Sequence, residues 1–164
     1  FLSLPKYPDE LDRITDLKER IEEILPYVNL ENEATRREMM IAPIILDLIH
    51  YSQAKLRIEY SIQVDNRLSG KLHYLLCSTR NLIVIEAKQG DINRGFTQLA
   101  TEMIALDKWI DSPQTQILGA VTTGNVWQFG VLDRQSKLIC EGINLYRVTE
   151  ELEIIIRILL ARLV

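Results

Sequence analysis

Leu82-Ile83-Val84-Ile85-Glu86-Ala87-Lys88 opens on four apolar residues and closes on a carboxylate and an ammonium two positions apart. The apolar run reads as a buried strand. Side chains on a strand alternate faces, so Glu86 and Lys88 point the same way and Ala87 points to the other side. Ionisable groups at a buried strand end cost free energy unless they are paired or bind something, which marks the pair as a candidate site.

Outward from this strand the pattern alternates between periods. Leu56 to Val64 and Lys71 to Cys77 read as two further strands, separated by Asp65-Asn66-Arg67-Leu68-Ser69-Gly70, and Ser78-Thr79-Arg80-Asn81 turns the chain into the third. Residues 91 to 110 return to helical spacing through Ile92, Phe96, Leu99, Met103, Leu106 and Ile110, with Asp91 as cap and Ser112-Pro113 beyond the end. Strands are predicted at 115 to 123, 126 to 133 and 137 to 146, the first two hinged at Gly124-Asn125. Before the strands, residues 9 to 25 form an amphipathic helix stopped by Pro26, and residues 32 to 50 form a second, capped by Asn32 and kinked at Pro43. A last helix, 150 to 163, is apolar on more than one face, which predicts deep packing or a contact with a second copy of the chain. The order α-α-β-β-β-α-β-β-β-α makes this an α/β protein of mixed α and β elements.

Composition narrows the class. With 164 residues, 47% hydrophobic and 26% charged, the chain suits one domain with a sizeable core. It divides into a helical extension over 1 to 28, a core over 30 to 130 and a closing strand and helix over 137 to 164. No apolar run is long enough to span a membrane, and Phe1 to Lys6 do not read as a secretion signal, so a cytoplasmic protein is expected. Cys77 and Cys140 fall in predicted strands as small apolar residues, which argues against a disulfide framework. The net charge of −4 offers no global attraction for nucleic acid, so any such binding needs a local basic patch.

The hairpin register builds a site around the Glu-x-Lys. A loop of Thr79-Arg80, or of Ser78 to Asn81, gives the same pairing: Cys77 opposite Leu82, and by steps of two His73 opposite Glu86. Directly opposed residues share a face, with Cβ atoms roughly 4.5 to 5.5 Å apart. His73, Glu86 and Lys88 then cluster, with Lys71 opposite Lys88 at the rim, provided no bulge or slip intervenes.

Leu68-Ser69-Gly70-Lys71-Leu72-His73-Tyr74-Leu75-Leu76, then Ile83 to Lys88, then Gly95-Phe96-Thr97-Gln98 on a helix, resembles the PD-(D/E)XK nuclease superfamily. The resemblance covers about residues 30 to 130. It implies a restriction-endonuclease-like core, a central mixed sheet flanked by helices, and Mg²⁺- or Mn²⁺-dependent endonuclease chemistry on DNA, less so on RNA. By position it implies Glu86 and Lys88 as catalytic residues with Gln98 on the following helix, and Glu86, His73 and Glu33 as the metal-facing set. Such proteins carry Asp where this chain has His73. A hard cation wants oxygen ligands and negative charge. An imidazole brings one nitrogen lone pair and no charge, which favours Mn²⁺, Fe²⁺, Ni²⁺ or Zn²⁺ over Mg²⁺.

Two roles stand open for His73: metal ligand, or hydrogen-bonded partner that neutralises Glu86. Glu33 has Glu38 as a rival on the same helix, and Gln98 shares its helix face with Arg94 and Thr101, where a solvated surface is the simpler expectation. Trp127 and Phe129 suit sheet packing better than base stacking. Two functions follow: a metal-dependent nuclease with a modified site, or a catalytically inactive pseudo-nuclease that serves as a binding or assembly module, dimeric through residues 150 to 163.

Overall fold

Pro43 shapes the helices that precede the sheet. Helix α1 (Ile14–Ile24) buries Ile14, Leu17 and Ile21, and ends in a tight turn, Leu25–Tyr27, built on Pro26. It begins five residues later than its periodicity predicts. Helix α2 (Glu33–Arg36) is capped by Asn32, whose Oδ1 accepts from the Thr35 N–H at 2.8 Å. Pro43 has no N–H to return to Met39, and the preceding backbone widens into a π turn over Arg37–Ile41, where the Ala42 N–H donates to the Arg37 carbonyl. Helix α3 (Ala42–Ser52) then carries Pro43 in its first turn, where the missing donor costs nothing. The predicted kink is thus a π turn. This computed structural model describes residues 2–164, and Phe1 lies outside it.

Strands β1 (Lys55–Gln63), β2 (Ser69–Cys77) and β3 (Leu82–Ala87) form an antiparallel meander. Helix α4 (Ile92–Trp109) crosses over from β3 to β4 (Gln116–Thr122), which lies parallel to it. Strands β5 (Val126–Asp133) and β6 (Leu138–Glu141) continue antiparallel, so the sheet runs in chain order from β1 to β6, and the short β7 (Tyr146–Arg147) pairs with β5. Helix α5 (Leu152–Leu163) closes the chain. The result is an α/β protein with a mixed sheet and helices on both faces.

One face packs on α1, α3 and α5 around Tyr74, Ile83, Ile85, Trp127 and Phe129. The other packs on α4 around Leu75, Val84, Leu99, Met103 and Val121. Helix α1 belongs to the first core and is no appendage. The apolar excess of α5 is covered within the chain: Leu152, Ile155, Ile156, Ile158, Leu159, Leu160 and Leu163 are all buried. At the far end of α4, Arg134 donates to the Asp107 carboxylate at 2.7 Å and to the carbonyls of Asp107, Ile110, Ser112 and Gln114, holding the helix exit against the sheet. No helix among the described residues is long and apolar enough to cross a membrane.

Three features depart from the sequence expectations. The predicted strand 137 to 146 divides at Gly142, whose N–H donates to the Phe129 carbonyl at 2.8 Å and whose position leaves no room for a Cβ against that oxygen. The β2–β3 ladder ends at Tyr74 opposite Ile85, so Lys71 does not pair with Lys88. Lys71 pairs with Ser61 instead. Regular alternation also fails in β1 and β2. Leu56 faces α1, α3 and α5 while Ile62, an even number of residues on, lies under α4; Leu72 lies under α4 while Tyr74 and Leu76 face away. Both strands turn over at the level of Glu59 and His73, where Glu59 takes φ +53° and its pair is missing from an otherwise continuous ladder.

Candidate functional site

The turnover in β1 and β2 sets His73 where β2 leaves β3. The next step of the ladder would oppose Leu72 to Ala87. There the Ala87 N–H donates instead to His73 Nδ1, at 3.0 Å. Nδ1 is therefore the unprotonated nitrogen and Nε2 carries the hydrogen, directed to the side where Glu33 Oε2 lies 3.7 Å away. Burial, and then the Arg37 guanidinium, hold the imidazole below its ordinary pKa, so it is neutral at pH 7. Arg37 is itself fixed by bonds to the Tyr74 hydroxyl at 3.1 Å and to Glu59 at 2.5 Å.

Glu86 lies beside this imidazole, its Oε1 3.3 Å from Nδ1 and its side chain 1% exposed. Across from it on α4 stands Glu102, which the sequence reading passed over. Glu102 is likewise buried, and each residue keeps an Oε2 atom with no hydrogen-bonding partner among the protein's donors. Burial, then the charge and hydrogen bond of Glu102, push Glu86 up to about 10, and burial pushes Glu102 up to about 7. Two buried carboxyl groups this close do not both ionise near neutral pH. Gln98, one helical turn before Glu102, reaches it with Nε2 at 3.5 Å.

The signal for Glu102 was present in the sequence. It sits three residues after Leu99 and four before Leu106, on the apolar stripe of α4, so it breaks the buried face of an otherwise regular amphipathic helix. A lone acid on such a stripe has to find a partner, and here the partner comes from β3.

The pair adjoins an open cleft lined by Glu59, Ser69, Gly70, Lys71, His73, Gln98, Thr101 and Glu102. A neighbouring cleft is lined by Lys88, Arg94, Thr97, Gln98 and Thr101, so Gln98 and Thr101 wall both. Lys88 passes from β3 into this second cleft with its stem against Gly95, where a Cβ would stand 3.1 Å from Lys88 Cγ and 2.6 Å from Val121 Cγ2. The glycine lets α4 approach β4 and lets Lys88 run under it. Lys71, Lys88 and Arg94 have no ion-pair partner among the described residues. Glu33 joins the cluster from the start of α2, and its charge also raises Glu86, whereas its rival Glu38 is exposed. A slightly larger cleft, lined by Leu2, Leu4, Phe129, Gly142, Ile143 and Tyr146 among others, contains none of the predicted site residues.

The structure thus brings Glu33, His73 and Glu86 together and sets Lys88 and Gln98 beside them. A divalent cation is the group that the resemblance implies. Carboxylate oxygens without partners fit a hard cation, and Glu86 and Glu102 each present one. His73 does not offer a donor in the same way, because its lone pair is engaged by Ala87. Among the described residues no three acid, histidine or cysteine side chains form a ready cage. Mg²⁺ commonly takes only one or two protein carboxylates and completes its shell with water and substrate phosphate. Comparison with family models, curated proteins and solved structures finds none that matches this chain.

Proposed function

We propose that this chain is a nuclease-like protein of PD-(D/E)XK type, a Mg²⁺- or Mn²⁺-dependent phosphodiesterase scaffold acting on DNA in preference to RNA. The observation that carries the reading is Glu86: a carboxyl 1% exposed, with an unpartnered oxygen, at the end of a strand whose next outlet is Lys88. The strand order supports it. Parallel β3 and β4, joined by the α4 crossover, place their C-terminal ends side by side, which is where open α/β sheets bind ligands.

In this reading Glu86 and Glu33 hold the cation, which when bound supplies charge neutralisation for the phosphodiester and acidifies a water. The Lys88 ammonium lines the adjoining cleft, in ion pair with no carboxylate among the described residues, and stabilises negative charge developing on a phosphate seated there. Lys71 and Arg94, equally free, hold the flanking phosphates of a nucleic-acid strand. Gln98 orients the groups between the clefts through its contact with Glu102.

A second reading rests on a specific bond. Because the Ala87 N–H occupies His73 Nδ1 and burial keeps the glutamate pair from ionising fully, the cluster carries little negative charge without a cation, as an inactive scaffold that binds or assembles would require. Nicking of supercoiled plasmid with Mn²⁺, by wild type, Lys88→Ala and His73→Asp, separates the two. The nuclease reading expects wild type to nick and Lys88→Ala to lose at least about 10²-fold. If only His73→Asp cuts, the natural chain is the inactive scaffold.

A further inference from the structure

We propose that Glu102 supplies a further carboxylate of the cation site, beside Glu86 and Glu33, from the helix, in place of the acid that β2 lacks at His73. The inference rests on the phosphodiesterase reading and names a residue for it. Its basis is geometric. Glu86 and Glu102 are both more than nine-tenths buried, one comes from the sheet and the other from the helix packed on it, and each keeps a buried Oε2 that meets no donor. Nothing in the fold requires an acid at Glu102: its neighbours on the α4 stripe, Leu99, Met103 and Leu106, are apolar, and it pairs with no Lys, Arg or His. A buried glutamate facing another buried glutamate is costly in a protein that binds nothing there. A divalent cation between them removes the repulsion and fills both vacant acceptors.

Access and charge agree. Glu102 lines the cleft that opens between β2 and α4, where Gly70 brings no side chain over it; a Cβ at Gly70 would stand 3.9 Å from Glu102 Cγ. Two carboxylates give the oxygen donors and the negative charge that an imidazole withholds, so the site selects Mg²⁺ or Mn²⁺ over softer metals. His73 acts as a positioning residue: its ring accepts from Ala87 and fixes the strand end from which Glu86 projects.

Calorimetric titration of the full chain with MnCl₂, free of nucleic acid, tests this on wild type, Glu102→Gln, Glu102→Asp and His73→Asn. Wild type is expected to bind one Mn²⁺. Glu102→Gln is expected to weaken binding at least about tenfold, the scale of losing one ligand or its close support. Glu102→Asp, which keeps the charge, recovers part of that loss. His73→Asn, whose amide oxygen accepts from the same N–H, stays within about threefold. A thermal midpoint for Glu102→Gln in chelator at least equal to wild type shows that the variant is folded. Mn²⁺ binding that is unchanged in Glu102→Gln but lost in His73→Asn overturns the assignment of Glu102 and leaves the phosphodiesterase reading standing. No Mn²⁺ binding by wild type, together with no nicking, overturns both.

Discussion

Two buried carboxyl groups, Glu86 and Glu102, lie close together beside an open cleft, and the consequence is measurable in the protein alone. Each is an acid whose folded-state pKa lies above its unfolded value of 4.5, Glu86 at about 10 and Glu102 at about 7. The folded chain then binds more protons than the unfolded chain above pH 4.5, so stability falls as pH rises through that window. His73 acts in the opposite sense: its folded pKa is depressed, so its contribution rises with pH and is complete above the ordinary imidazole value of 6.5. Asp47, raised by burial on α3, adds to the fall near the acidic end. The glutamate pair therefore dominates from about pH 7 to about pH 9. In chelator, the urea midpoint of wild type is expected to drop across that interval, and Glu86→Gln to flatten it. A wild-type midpoint that is level or rises there would show that the two carboxyls ionise freely.

Helix α4 does more than cross between parallel strands. It brings Glu102 to Glu86, Gln98 and Thr101 to the wall between two clefts, and Gly95 against both Val121 and Lys88. Gly95→Ala tests how close that packing is. The added methyl would stand 2.6 Å from a β-branched Val121 carbon with no flexible end to yield. Overpacking of this kind costs about 1 to 3 kcal/mol, offset by roughly 0.5 to 1 from better helix propensity. A net loss of about 1 to 2 kcal/mol in urea unfolding is expected. A neutral or stabilising result would mean that α4 stands further from β4. The turnover in β1 and β2 is the other decisive element: without it, strict alternation would put Leu72 on the same face as Tyr74 and Leu76 rather than under α4.

At the scale of the whole molecule the sheet has three helices on one face and α4 alone on the other, and α5 is spent inside the larger core. Leu159→Ala is expected to cost about 2 to 5 kcal/mol, as for other buried leucines. Its unfolding midpoint should not move with protein concentration. A midpoint that rises with concentration would place α5 at a contact between copies of the chain, the other alternative that its apolar sequence left open.

The sequence by itself determined the order of elements, because hydrophobic period, caps and turn residues act over a few neighbours. Asn32 and Asp91 cap their helices as read, and β5 spans the predicted 126 to 133. It also singled out Glu86 and Lys88 at a strand end and, through the hairpin register, His73, whereas Glu33 came only from the family resemblance. Only the tertiary structure decided what these residues meet. Glu102 lies 16 positions from Glu86 in the chain and reaches it through the packing of α4 on the sheet. The lone pair of His73 is claimed by a backbone N–H that is free only because β2 peels from β3 after Tyr74. Both facts depend on where a ladder stops and how near a helix lies, and those are set by the whole core rather than by local pattern.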